Sequence, residues 1–156
     1  MSRPPDIGEV LTPVLARIPP ERQPLLVAVA ERLAAERYRR WAGQPELADD
    51  ADRLRACALR EETIAAKVEA LFRDVDALTR EILSEVPELE ALNRELFDGR
   101  PLREQLAIQA RGEHLGAATW RAFARQANGA ERQAFEACAP LEEKSAAVLE
   151  GILRRS

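Results

Sequence analysis

The sequence predicts an all-α protein: a four-helix bundle built from two similar helical hairpins joined by a long crossover. Three observations predict it. Strand signals are absent, since no alternating β-branched run is bounded by turn residues. Proline and glycine divide the chain at intervals suited to long helices. The two halves of the chain also resemble each other.

The elements follow in order. Residues 1–19 form an N-terminal extension ahead of the bundle. Pro19-Pro20-Glu21 opens a first long helix, which Gly43 closes. Pro45 begins a second helix that runs to about Arg73. Residues 74–100 form the crossover, with Asp74 and Asp76 as candidate caps of a shorter helical piece and Pro87 as its interruption. Asp98-Gly99-Arg100-Pro101 makes a break and a new start. The third long helix runs from there to Asn128-Gly129, and the fourth to near Arg154. Short turns make antiparallel neighbours. The crossover is expected to carry the chain along the bundle, so that the second hairpin starts at the same end as the first.

Composition fits one domain, residues 1–156, with a single core. Hydrophobic residues are 46% and aromatics only 4%, so the core is expected to consist of Leu, Ala, Val and Ile. A net charge of −4 gives no cationic surplus to neutralise phosphates, which argues against a nucleic-acid partner. Arg37, Arg39 and Arg40 read as an exposed helix face. No secretory signal and no membrane-length apolar run is visible, and Cys57 and Cys138 do not make a disulfide framework. The expectation is a cytoplasmic protein with two buried thiols and no membrane partner, able to pair as a homodimer through its outer helix faces. No Gly-rich phosphate loop, Ser/His/Asp constellation or Cys-x-x-Cys is present.

The repeat aligns Ala56-Cys57-Ala58 and Glu61-Glu62 with Ala137-Cys138-Ala139 and Glu142-Glu143. Ahead of these, Glu31 aligns with Glu113 and Tyr38 with Trp120. Heptad steps then mark one inward stripe per helix. The stripes are Ala28, Glu31, Ala35, Tyr38, Ala42; Leu54, Cys57, Glu61, Ile64, Val68, Leu71; Leu106, Ala110, Glu113, Ala117, Trp120, Ala124; and Phe135, Cys138, Glu142, Ser145, Leu149, Ile152. Each carries one glutamate near mid-helix. Buried carboxylates need a cation, shared protons or hydrogen-bond donors. Four of them, one per helix, point to a shared inward site. Glu61 and Glu142 keep the seam; a shift of one residue would place Glu62 and Glu143 there instead.

These residues resemble the ferritin-like superfamily, which includes ferritin, bacterioferritin and rubrerythrin. The resemblance spans the four long helices. It implies a Glu from the first helix of each hairpin and a Glu-x-x-His from the second, together holding two iron or two manganese ions. It also implies an aromatic seven residues after the first Glu. Glu31 with Tyr38 and Glu113 with Trp120 match that spacing. Glu61 and Glu142 match the second-helix glutamates. The histidine positions hold Ile64 and Ser145, so classical ferroxidase activity is not expected. The implied metal ligands are Glu31, Glu61, Glu113 and Glu142. Tyr38, Trp120, Cys57, Cys138, Ile64 and Ser145 are expected to line the cavity. Two other functions fit the residues: a metal-free pseudo-enzyme or interaction scaffold, and a small-molecule site using two carboxylates as acid and base. His114, next to Glu113, should point away from the seam.

Overall fold

A computed structural model describes residues 5–155. Among them the fold is all-helical, without strands. The helices are α1 (Ile7–Leu15), α2 (Gln23–Ala42), α3 (Ala51–Glu69), α4 (Val75–Glu85), α5 (Leu89–Phe97), α6 (Leu102–Arg125) and α7 (Gly129–Arg155). Short 3₁₀ turns, Pro20–Arg22 and Pro45–Asp50, lead into α2 and α3. No described helix is long and apolar enough to cross a membrane.

Ion pairs fix the directions of the long helices. Arg39 with Glu62, and Arg32 with Glu69, run α2 against α3 in opposite senses. Arg121 with Glu143, and His114 with Glu150, do the same for α6 and α7. These pairs occupy matching positions of the repeat, so the two hairpins share a surface pattern as well as a seam. Between hairpins, Arg37 meets Gln109 while Trp41 meets Gln105, which makes α2 antiparallel to α6. Arg60 meets Ser145 and Asp50 meets Arg155, so α3 and α7 are antiparallel too.

This corrects the expected polarity: the second hairpin starts at the opposite end from the first. α3 returns the chain to the end where α2 began, and the crossover then climbs back. Its path is marked by Glu81 at Arg22, near the start of α2, and by Phe97 against Trp41, near its end. Ile82, Val86, Leu89, Leu96 and Phe97 anchor the crossover in the core.

Two other expectations differ from the structure. The second helix ends at Glu69, not Arg73; Asp74 adopts a left-handed conformation (φ 52°) that starts α4 without a side-chain cap bond. The N-terminal extension contains α1, capped by Asp6, whose Oδ1 accepts from the Gly8 N–H at 2.8 Å. The core is mainly Leu, Ala, Val and Ile, as expected, yet its two largest fully buried side chains are Trp120 and Tyr38. Few as the rings are, Tyr38, Trp41, Phe97, Trp120 and Phe135 are all buried, and Phe72 and Phe123 are half-buried.

The seam stripes are buried throughout, apart from the half-buried Leu71. Apolar packing falls into two clusters. One holds Leu25, Ile64, Val68, Trp120, Phe135 and Cys138; the other holds Tyr38, Trp41, Leu54, Cys57, Leu106 and Ile152. On every long helix the seam glutamate falls between them, at the waist.

Candidate functional site

Glu31, Glu61, Glu113 and Glu142 are 7%, 0%, 1% and 2% exposed. Glu31, Glu61 and Glu142 each bring a carboxylate oxygen within 4.8 Å of the other two. Glu62 and Glu143 instead face outward on Arg39 and Arg121, which settles the register of α3 and α7. The helical period explains the difference, because the adjacent residue points about 100° away.

Glu113 is tied down by neighbours. Its Oε1 accepts from the Tyr38 hydroxyl at 2.7 Å and from Gln109 Nε2 at 2.9 Å. Gln109 Oε1 in turn accepts from Arg37 Nε and Nη2 at 3.1 and 2.7 Å. Arg37 also donates to Asn93 Oδ1 at 2.6 Å and lies over the Phe97 ring at 3.8 Å. Arg37 is therefore buried, contrary to the exposed face expected for it; Arg39 and Arg40 are exposed as expected. Burial pushes its guanidinium down to about 10, while Tyr38, Glu113 and Glu61 favour the charge.

Several buried oxygens have no protein partner: both of Glu61, Oε2 of Glu113 and Oε1 of Glu142. Burial raises the Glu31 carboxyl to about 7, helped by Glu113 and opposed by contacts with Glu61, Glu142 and Trp120. Burial first, then the neighbouring carboxylates, drives Glu61 and Glu142 well above the ordinary range. The Tyr38 hydroxyl is also held well above its usual value, by burial and by Glu113. Unsatisfied buried acceptors of like charge call for a cation or for protons.

The remaining expected residues separate. Ile64 is fully buried and offers no donor atom. Ser145 Oγ accepts from Arg60 Nε at 3.0 Å, and Arg60 Nη2 lies 3.1 Å from Cys57 Sγ. Cys138 Sγ turns back on the Ala134 carbonyl at 3.2 Å. Burial raises both thiols, Cys138 to about 12, so neither is a ready thiolate ligand. Trp120 lies beside Glu31, but its Nε1 makes no hydrogen bond of normal geometry. His114 is exposed on Glu150.

A cavity of about 130 Å³ opens beside the cluster, between α1, α2, α5 and α6. It is a different space from the seam interior that Tyr38, Trp120, Cys57, Cys138, Ile64 and Ser145 are expected to line. Glu31, Glu113 and Glu142 reach it from the bundle, and Ile7, Leu11 and Leu15 cover it. Sequence reading missed Arg37, Gln109 and the glycines of α6. Gln109 lies four residues before Glu113, hence on the same face, which is a readable signal. Gly112 and Gly116 flank Glu113, and glycine inside a helix marks close approach. A Cβ on Gly112 would overlap Ile7 Cδ1, and one on Gly116 would overlap Glu142 Oε2.

No protein-family model matches the chain, and no curated protein or solved structure matches it either.

Proposed function

We propose that this chain is a ferritin-like four-helix bundle that holds iron or manganese on Glu31, Glu61, Glu113 and Glu142. One observation carries the reading. Glu31, Glu61 and Glu142 converge within 4.8 Å at the waist of the bundle, where buried carboxylate oxygens lack any protein partner. Carboxylate oxygens are hard donors suited to such ions. The residue pattern fits binding better than it fits fast oxidation. Bound iron would supply redox chemistry with dioxygen. The chain itself supplies four acidic side chains, a Tyr38 hydroxyl that donates to Glu113, and apolar clusters above and below them. It does not supply the two imidazoles. Ile64 has no donor, and the Ser145 hydroxyl is already engaged by the Arg60 cation.

A second reading is favoured by the raised carboxyls of Glu31, Glu61 and Glu142. In it the cluster keeps its own protons, and the fold serves as a metal-free scaffold. Metal analysis of untagged protein separates the two. Protein as purified, and after addition of Fe(II) or Mn(II), should retain at least one ion per chain, and Glu61→Gln should lose it. Retention of neither ion by the unaltered protein would leave the scaffold reading.

A further inference from the structure

The four seam glutamates are not equivalent. Glu31, Glu61 and Glu142 bring their oxygens within 4.8 Å of one another, and Glu113 belongs to no such group among the described residues. Both oxygens of Glu61 and one of Glu142 are buried without a hydrogen bond. Glu113 is held differently. Its Oε1 takes two donors, the Tyr38 hydroxyl and Gln109 Nε2. The Oε1 of the same Gln109 takes two N–H groups of Arg37, whose third hydrogen bond goes to Asn93.

The charges divide in the same way. Arg37 gives its hydrogen bonds to neutral amide oxygens, and one of those amides passes on to Glu113. Glu113 therefore faces a buried cation one side chain away, which offsets its charge. Among the described residues, Glu31, Glu61 and Glu142 form no ion pair with an arginine or lysine. Once an ion displaces their protons, these three carry three negative charges. A divalent ion would leave one of them uncompensated in a buried setting, whereas a trivalent ion balances them all. Donors that are all carboxylate oxygens select a hard ion.

We propose that Glu31, Glu61 and Glu142 form one tight ion position, matched in charge to a hard trivalent cation such as Fe(III), and that Tyr38, Gln109 and Arg37 keep Glu113 out of it. This inference rests on the metal reading above and divides its four ligands into three and one. Glu113 is left to a second, weaker ion. Tyr38, Gln109 and Arg37 act on the ion through Glu113, as positioning residues.

The test titrates Tb(III), a hard trivalent probe, and Mn(II) into chelator-treated full-length protein. Calorimetry gives stoichiometry and affinity. Indole-sensitised Tb(III) emission reports the tight position, because Trp120 lies beside Glu31. One Tb(III) per chain should bind tightly. Glu31→Gln, Glu61→Gln and Glu142→Gln should each weaken it roughly a hundredfold, and Glu113→Gln by less than about threefold. Glu31→Gln should also cost Tb(III) about tenfold more affinity than it costs Mn(II), because it removes one of the three charges. Tyr38→Phe frees Glu113 from one donor, so adding Glu113→Gln in that variant should cost about fivefold.

Equal losses in all four glutamate variants would overturn the division into three and one. Equal losses for the two ions would overturn the charge match. A Glu113→Gln effect that is the same with and without Tyr38→Phe would overturn the positioning role. Affinity unchanged in every variant would mean an adventitious ion only. If the unaltered protein binds neither ion, the metal reading fails and takes this proposal with it. If it binds both and the variants break the pattern, this proposal alone fails.

Discussion

Glu142 reaches the carboxylate cluster across a gap left by Gly116. A Cβ at residue 116 would overlap Oε2 of Glu142 and lie 2.9 Å from its Cδ. The smallest residue on α6 thus sets the position of an acidic side chain on α7.

Gly116→Ala should therefore push Glu142 aside. The expected result is at least a tenfold loss of Mn(II) affinity by calorimetric titration, with a lower melting temperature. Gly151→Ala makes the control. It lies inside α7, and an added Cβ there would meet only Arg154 Nη2 at 3.9 Å. It should stabilise by about 0.5–1 kcal/mol with metal affinity unchanged.

The metal-free protein should lose stability as pH rises. Glu31 titrates at about 7 when folded, against an ordinary 4.5. A raised folded value means that the folded state holds its proton more tightly than the unfolded chain does. That contribution is complete below about 4.5 and is lost as pH climbs to about 7. For Glu31 it amounts to roughly 3 kcal/mol; Glu61 and Glu142 shift in the same direction. Melting temperature in chelator should fall over that window, and Glu31→Gln should flatten the fall. Saturating Mn(II) should reverse the slope, since deprotonated carboxylates bind the ion.

Fe(II) oxidation by the unaltered protein should be slow. Ile64→His with Ser145→His restores the nitrogen donors, but Arg60 occupies the hydroxyl that Ser145→His replaces. Arg60→Leu should therefore accompany the pair; Leu141 already stands at the matching position of the second hairpin. The triple variant should bind Fe(II) more tightly and oxidise it faster in air, followed by absorbance. Rapid oxidation by the unaltered protein, abolished by Glu61→Ala, would show that imidazole is not needed.

Arg37→Met should destabilise the fold by about 3 kcal/mol or more. It leaves the oxygens of Gln109 and Asn93 buried without their donor. Urea unfolding measures the loss. Adding Gln109→Met should recover part of it, because the stranded acceptor is then gone.

The sequence made the seam readable because helical period and burial coincide there: the four inward stripes, their glutamates and the aromatics seven residues on all fall on one face. It did not reveal α1, a nine-residue helix that contains Pro13 and depends on docking against α6. Arg37 was misread because an arginine beside Arg39 and Arg40 looks solvated. Only tertiary contacts with Gln109, Asn93 and Phe97 show that it is enclosed. The direction of the second hairpin escaped as well, since loop length alone does not orient a helix. The cavity was invisible because it arises from what the glycines and α1 leave unfilled.

The repeat is kept in the frame and broken at the centre. Arg39–Glu62 and Arg121–Glu143 are counterparts on the outside. Inside, Tyr38 donates to Glu113 at 2.7 Å, whereas its counterpart Trp120 approaches Glu31 without a hydrogen bond of normal geometry. Ile64 is apolar, whereas its counterpart Ser145 carries the Arg60 guanidinium. On the proposed metal site, the two hairpins would therefore contribute unequal halves. Two ions should then load in unequal steps, the first leaving a vacancy of different strength, and a biphasic Mn(II) isotherm would record that divergence.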